Sequence, residues 1–186
     1  MLLHRPQQLL DADGDRIFLA LQNLKTMGLA QKIGVSIYDP AELDALGSRF
    51  EFDIVQAPLN LLDRRMINSG WMSRLASGGT ELHARSIFLQ GLLLMTPSER
   101  PSKFNRWQQL WSAYSEWLRS DEITPLQACV RYSLSFAEIT KVIVGVDAAH
   151  QLREIVEATG GSIPTVPSSL QVQDCDLINP SRWAAI

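Results

Sequence analysis

Two short apolar runs in this sequence end in a polar residue that can hydrogen-bond a ligand. Ser36 closes the run at residues 32–35, and Gln56 follows Val55. A hydroxyl and a carboxamide each donate and accept hydrogen bonds, so both suit a polar ligand. On the residues alone a plainer interpretation is favoured, in which Ser36 caps a turn and Gln56 is a satisfied amide, because polar residues at strand ends commonly serve turns.

Two further features have chemical potential. Gly145-Val146-Asp147 directly precedes a predicted helix, and the free N–H groups and dipole of a helix N-terminus favour an anion such as a phosphate. His4 is an acid–base group, but that chemistry needs positioned partners, and a lone histidine near a chain terminus is usually structural or exposed. The two cysteines, Cys129 and Cys175, lack metal-ligand spacing, so two reduced thiols and no metal site are predicted.

The composition favours one soluble globular domain. The chain has 186 residues, of which 46% are hydrophobic and 20% are charged, so it can bury a core. Its net charge of -3, without a block of basic residues, argues against nucleic acid and acidic membranes as partners. The longest apolar run, residues 91–95, is far short of a bilayer span and no export signal is visible, so a cytoplasmic location is expected.

Apolar and β-branched runs predict strands at residues 1–4, 32–36, 53–57, 81–85 and 141–146. Helical periodicity fills the segments between them. The first predicted helix has Ile17, Leu21 and Leu24 on one face. The second has Asp39 as its N-cap and Pro40 in its first position, and it ends at Leu46. The third has Ile67, Trp71 and Leu75 on one face. The fourth predicted helix has Phe104, Trp107, Trp111, Tyr114 and Leu118 on one face. The fifth begins at the cap Thr124-Pro125 and ends at Leu134. The sixth is marked by Leu152, Ile155 and Val156.

The alternation of strands and helices implies a mostly parallel sheet, because parallel neighbours need a crossover that a helix supplies. An open doubly wound sheet and a part of a barrel both have this pattern, since both bury their strands on two faces. Periodicity alone leaves these two architectures open.

Five short motifs, in order, resemble the successive strand ends of the aldo/keto reductase family. They are Leu3-His4-Arg5-Pro6, Lys32-Ile33-Gly34-Val35-Ser36, Val55-Gln56-Ala57-Pro58-Leu59-Asn60, Arg85-Ser86 with Gln90-Gly91-Leu92, and Val144-Gly145-Val146. The resemblance implies an α/β fold, a partial (β/α)8 TIM barrel whose five parallel strands correspond to the fourth to eighth of the full barrel. The partial barrel then covers residues 1–161, and the Pro- and Ser-containing stretch 162–186 is an irregular C-terminal extension.

The resemblance also implies an oxidoreductase that reduces an aldehyde or ketone by hydride transfer from NADPH or NADH, without a metal. In the family, the residues at the positions of Ser36 and Gln56 hold the nicotinamide carboxamide. The other implied cofactor contacts are Arg85, Ser86, Phe88, Gln90 and Gly91 near the nicotinamide and pyrophosphate, and Gly145, Val146, Asp147, Gln151 and Glu154 at the adenosine-phosphate end.

Two departures from the family pattern concern this cofactor. Arg85 stands where the family commonly has an aromatic residue that stacks on the nicotinamide. Gln151 and Ile155 stand where many relatives have an arginine and an asparagine for the ribose phosphate and adenine. The choice between NADPH and NADH therefore stays open.

His4 corresponds to the family histidine that orients the substrate carbonyl. Its implied partners are an aspartate, a tyrosine proton donor and a lysine that lowers the tyrosine pKa, and they come from strands that this sequence does not contain. We therefore expect no appreciable carbonyl reductase activity from the chain as given. The alternative is a non-catalytic barrel fragment that binds a nucleotide or serves as an association module, with self-association through exposed barrel edges.

Overall fold

The computed structural model describes residues 1–47 and 49–185 of the chain. Five parallel strands form one sheet, and they are β1 (Leu2–Leu3), β2 (Gly34–Ser36), β3 (Ile54–Pro58), β4 (Glu81–Arg85) and β5 (Ile139–Val142). Their order in the sheet is their order in the sequence, β1-β2-β3-β4-β5. A doubly wound sheet reverses its strand order at a switch point, and this sheet has no such reversal. The structure therefore confirms the prediction of a partial (β/α)8 barrel and excludes the open doubly wound sheet.

Helices follow the strands in the manner that parallel crossovers require. The α-helices are α1 (Gly14–Thr26), α2 (Ala41–Leu46), α3 (Arg65–Asn68), α4 (Trp71–Ser77), α5 (Gln108–Ser120), α6 (Pro125–Leu134), α7 (Ala149–Glu157) and α8 (Cys175–Ile178). Turns of 3-10 helix lie at Pro6–Leu9, Leu92–Leu94, Ser102–Trp107, Ser168–Leu170 and Pro180–Ala185. The last two, with α8, lie in the stretch predicted as an irregular extension, of which residue 186 is outside the described residues.

The described chain divides into two compact units. The first, the strand unit, holds Met1–Pro58, Arg65–Arg85 and Glu138–Lys141. The second, the helical unit, holds Leu59–Arg64, Ser86–Ala137 and the chain from Val142 onward.

Side-chain alternation gives the sheet of the strand unit one apolar face. Val35, Val55, Ala57, Leu82 and Ala84 are each at most 1% exposed. Because successive residues of a strand point to opposite faces, these five share one face, and the residues between them share the other. Burial of the apolar face fixes the register of β2, β3 and β4, since a slip of one residue would expose it.

Aromatic residues form part of the core of the helical unit, beside a larger number of aliphatic ones. Phe104, Trp111 and Tyr114 are at most 4% exposed, and the Tyr114 hydroxyl donates to the Leu93 carbonyl at 3.1 Å. Cys129 is fully buried nearby, and this burial raises the pKa of its thiol to about 12. The aromatic side chains therefore contribute buried area and one satisfied hydroxyl to this core.

Several predicted elements are confirmed, and their caps explain why. The strand at residues 81–85 has the predicted bounds. The helix that begins after Thr124 ends at Leu134 as predicted, because Thr124 and Gln127 form a reciprocal capping box. The helix predicted to start at Pro40 starts at Ala41 instead, and the Asp39 carboxylate accepts the Ala41 N–H at 2.9 Å.

Other predicted bounds are wrong for identifiable reasons. The single helix expected around Ile67 and Trp71 is two helices, because Gly70 adopts φ 75 between α3 and α4. The single helix expected from Phe104 begins as a 3-10 turn and becomes α-helical only at Gln108. The strand expected at residues 141–146 ends at Val142, since residues 143–146 have no backbone ladder. The strands expected at residues 1–4 and 32–36 are shorter.

Gly34 sits where β2 meets the backbone of β3. A Cβ atom added to Gly34 would lie 1.9 Å from the carbonyl oxygen of Ile54, so we expect Gly34→Ala to lower the free energy of unfolding by roughly 3 kcal/mol by forcing the strands apart. Urea denaturation followed by circular dichroism measures this change. The control is Gly160→Ala, whose added Cβ would lie 3.8 Å from the Glu157 carbonyl oxygen. An equal, small effect of both substitutions would contradict this account of the β2–β3 contact.

Candidate active site

The strand unit places three polar residues side by side across its sheet. The parallel register pairs Ser36 with Gln56 and Gln56 with His83. Paired residues of parallel strands point to the same face. Ser36, Gln56 and His83 therefore form a row, here called the polar row, on the face opposite the apolar one.

Two members of the polar row have side chains that could hydrogen-bond a ligand. Ser36 is 3% exposed and Gln56 is half-buried. Among the described residues, neither side chain has a hydrogen-bond partner. A hydroxyl and a carboxamide that lie on neighbouring strands without internal partners can together hold a primary amide, which needs both a donor and an acceptor. This fits the carboxamide of a nicotinamide cofactor.

His4 lies at one end of this face. The register pairs Leu2 with Gly34 and Leu3 with Val35, so its continuation would bring His4 level with Ser36. His4 is exposed and lies just beyond β1. Its placement is compatible with the predicted contact to a substrate, which stays a prediction.

His83 is a member of the row that the sequence reasoning missed. Its Nε2 lies 3.0 Å from Glu81 Oε2, and Lys32 pairs with the same carboxylate. The hydrogen bonds from Lys32 and then His83 lower the pKa of Glu81. The signal was present, because polar and apolar residues alternate strictly from Glu81 to Arg85, a pattern that predicts a polar sheet face.

Arg85 ends β4 and extends towards the loop after β2. Its Nη2 donates to the Ile37 carbonyl at 2.8 Å, and its guanidinium carbon lies 4.5 Å from the centre of the Tyr38 ring. The register places Arg85 opposite Pro58 of β3. The side chain therefore spans the carboxyl end of β3, and the strand unit brings it close to the end of the polar row.

The helical unit contains the other predicted cofactor residues, beginning with the loop 86–91. Four residues of this loop have φ between 47 and 83, namely Ser86, Leu89, Gln90 and Gly91. Non-glycine residues in this left-handed region are strained, and such strain is typical of functional loops. Leu89 is fully buried and Phe88 is half-buried, so the loop is held by packing rather than by backbone preference.

Asn60 anchors this loop. Its Oδ1 accepts the N–H groups of Leu62 and Asp63 at 3.0 and 2.9 Å, and its Nδ2 donates to the Ser86 carbonyl at 3.1 Å. Asn60 is fully buried, so each of these hydrogen bonds replaces one that the side chain would make to water in the unfolded chain. The loop after β3 and the loop after β4 are thereby joined within the helical unit.

The N-terminus of α7 differs from the expected open anion site. The Gln151 Oε1 accepts the backbone N–H of Asp147 at 2.8 Å and of Ala148 at 3.3 Å. Gln151 thus fills part of the position where a phosphate would bind, and it would have to move to admit one. Val146 is 39% exposed, and Gly145, Asp147 and Glu154 are also exposed.

A wide cleft of the strand unit lies at a different place from the polar row. This cleft of about 1210 Å³ lies between α1, α2 and α4 and reaches the amino ends of β2 and β3. Its Lys25 and Asp53 already pair with each other at 2.6 Å, and it contains none of the polar row. Because its main charges are satisfied internally, we favour the polar row as the functional site despite the size of the cleft.

The described residues show two further absences. They contain no cluster of three or more His, Cys, Asp or Glu side chains placed to hold a metal ion. None of their helices has both the length and the apolar character that a bilayer crossing requires.

The chain is similar to known proteins in both sequence and fold. A family model described as the aldo/keto reductase family matches residues 1–167. Among solved structures, an aldo-keto reductase from Bacillus halodurans in its apo form has 21% identity and a TM-score of 0.66, and the match covers 81% of this chain and 53% of that chain. The holo form of that enzyme has 18% identity and a TM-score of 0.65, with 84% and 54% covered.

A glycerol dehydrogenase from Gluconobacter oxydans has 19% identity and a TM-score of 0.57, and the match covers 77% of this chain and 48% of that one. At these identities the similarity shows a shared fold. The chain spans about half the length of these structures. No curated protein sequence matches it significantly.

Proposed function

We infer the function of this chain from one premise: it belongs to the aldo/keto reductase family. We propose that it derives from an oxidoreductase that reduces a small aldehyde or ketone with NADPH or NADH. The observation that carries the proposal is the polar row, where Ser36 and Gln56 lie level on adjacent strands and neither side chain has a partner in the described part of the chain. When bound, the dinucleotide would supply the hydride, and the protein would fix its orientation.

We propose that the cofactor residues fall into two groups by their place in the fold. In the strand unit, Ser36 and Gln56 would bind the carboxamide, with Arg85 beside the ring. In the helical unit, the strained loop would supply Ser86, Phe88, Gln90 and Gly91 along the pyrophosphate. The adenosine-phosphate end would be held by Gly145, Val146, Asp147, Gln151 and Glu154.

We propose that His4 orients the substrate carbonyl. A histidine can donate a hydrogen bond to a carbonyl oxygen, but proton transfer to a developing alkoxide needs a donor of matched pKa at hydrogen-bond distance. The described tyrosines do not supply one, because Tyr114 and Tyr132 are buried in helices and Tyr38 stacks against Arg85. The polypeptide as given would therefore bind the dinucleotide without reducing carbonyls at an appreciable rate.

The second candidate function is a non-catalytic association or nucleotide-binding module, by self-association or otherwise. It is favoured by the apolar side of α7, where Leu152 is 47% and Val156 is 60% exposed. Apolar helix faces of this kind are normally covered in a finished fold. Either candidate is compatible with a cytoplasmic protein, which we retain as a proposal.

Removal of either carboxamide contact is expected to weaken dinucleotide binding. Ser36→Ala and Gln56→Ala should each raise the Kd for NADPH roughly three- to tenfold, since a hydrogen bond contributes about 1 kcal/mol. Isothermal titration calorimetry measures both constants. Ser115→Ala and Gln109→Ala, at exposed positions of α5, serve as matched controls. Identical titration curves for all four variants would remove Ser36 and Gln56 from the site.

We expect the chain to show no appreciable carbonyl reduction. A spectrophotometric assay of NADPH loss with simple aldehydes should give the rate of the uncatalysed mixture, because no positioned proton donor accompanies His4. The matched variant is His4→Ala, which should leave that rate unchanged. An NADPH-consuming activity that disappears in His4→Ala would contradict the expectation and would assign His4 a catalytic role in this chain alone.

A further inference from the structure

Arg100, in the helical unit, is a half-buried cation that has no carboxylate partner among the described residues. Its guanidinium carbon lies 4.1 Å from the centre of the Trp111 ring, and Nη2 donates a long hydrogen bond of 3.4 Å to the Met95 carbonyl. Its Nε is buried and has no hydrogen-bond partner in the described part of the chain. Buried polar atoms nearly always have a partner, so this nitrogen indicates one from outside the chain.

Arg106 of the same unit shows the contrast. It lies over the Trp107 ring at 4.0 Å, as Arg100 lies over its own tryptophan. Its Nη2, however, pairs with Asp176 at 2.9 Å and with Asp174 at 3.4 Å. The hydrogen bond from Asp176 raises the pKa of Arg106, whereas burial lowers the pKa of Arg100. Of these two stacked arginines, only Arg100 lacks the counter-charge that a cation removed from water normally has.

An apolar pocket adjoins Arg100 within the helical unit. Its volume is about 330 Å³, at the lower end of the range of roughly 300–1,000 Å³ for small-molecule sites. The loop before Arg100, α5 and the segment before α6 form its walls, and their apolar side chains include Leu94, Met95, Leu118 and Ile123. One cation beside apolar walls suits an anion that has an apolar body.

The other charged groups around this pocket are already paired. Glu99 Oε2 accepts the backbone N–H of Thr96 at 2.9 Å and its hydroxyl at 2.8 Å. Arg119 also lines the pocket, but its guanidinium pairs with Glu116 at 2.6 Å. An anion in the pocket would therefore find Arg100 as its main electrostatic partner.

We propose that this pocket binds a small organic monocarboxylate, with its carboxylate on Arg100 and its apolar body against Leu94, Leu118 and Ile123. The N–H groups of a guanidinium match the two oxygens of a carboxylate. Stacking on Trp111 keeps the guanidinium in place for this contact. The site lies wholly within the helical unit, and it does not depend on the dinucleotide site proposed above.

The test compares hexanoate with hexanamide, which has the same alkyl chain but no charge. Both are titrated into the isotope-labelled chain, and NMR follows the Nε–H signal of Arg100. We expect hexanoate to bind about tenfold more tightly than hexanamide and to move this signal, because a charge-assisted hydrogen bond is roughly twice as strong as a neutral one. The ratio of the two Kd values isolates the contribution of the charge.

Three variants locate that contribution. Arg100→Met keeps a long side chain over Trp111 but removes the charge, so the ratio should fall to about one. Arg106→Met is the matched control, a stacked arginine that has its own carboxylates, and it should keep the ratio within about twofold. Leu118→Ala should weaken both ligands about threefold and leave the ratio unchanged. Circular dichroism melting curves establish that each variant is folded.

Equal affinity of the unaltered chain for hexanoate and hexanamide, or an unmoved Arg100 Nε–H signal, would overturn the proposal without use of any variant. A ratio that survives in Arg100→Met, or that falls equally in Arg106→Met, would overturn it as well. Inorganic phosphate that binds as tightly as hexanoate would also contradict it, since the apolar walls would then contribute nothing.

Discussion

Close contact between β2 and β3 is the constraint on which the strand unit depends. Gly34 lies so close to the Ile54 carbonyl that no side chain fits between them, so the register that the buried apolar face fixes requires a glycine at this position. The register in turn places Ser36 level with Gln56 and Gln56 level with His83. Backbone pairing alone therefore brings the Ser36 and Gln56 side chains to the spacing of neighbouring strands, without a contribution from a loop.

Charged residues lie on this face near both ends of its strands. Near the amino ends of the strands, Glu81 is compensated by Lys32 and His83. At the carboxyl edge, Arg85 is supported by a carbonyl and an aromatic ring. Barrel enzymes gather their active groups at the carboxyl ends of the strands, and the cofactor site that we propose for the strand unit is therefore at this edge. The helical unit contains a strained loop and a helix N-terminus, the latter partly filled by its own Gln151.

The sequence predicted the succession of strands because burial and alternation are local signals, whereas the partial barrel was predicted only from the resemblance of five strand-end motifs to the aldo/keto reductase family. It also identified the capped helix at Thr124, where the signal is a short motif. It did not predict the break at Gly70, because the helical spacing of Ile67, Trp71 and Leu75 continues across a glycine that adopts the left-handed conformation readily. The sequence also did not predict that His83 lies beside Gln56, because that position depends on the strand register. The hydrogen bond from Arg85 to the Ile37 carbonyl was not predicted either, because the two residues lie far apart in the sequence. The sequence did not predict that Gln151 accepts the N–H groups at the start of α7, because a glutamine side chain can bind either a helix N-terminus or a ligand.

The central claim is that a dinucleotide binds through Ser36 and Gln56 at the carboxyl edge of the sheet. Two-dimensional amide NMR spectra of the isotope-labelled chain, recorded during addition of NADPH, test it most directly. The account predicts that the side-chain amide signal of Gln56 and the backbone amides of Ser36 and Ile37 move with ligand concentration. Movements confined to the cleft around Lys25, Asp53 and Trp71, with the Gln56 amide unchanged, would contradict it.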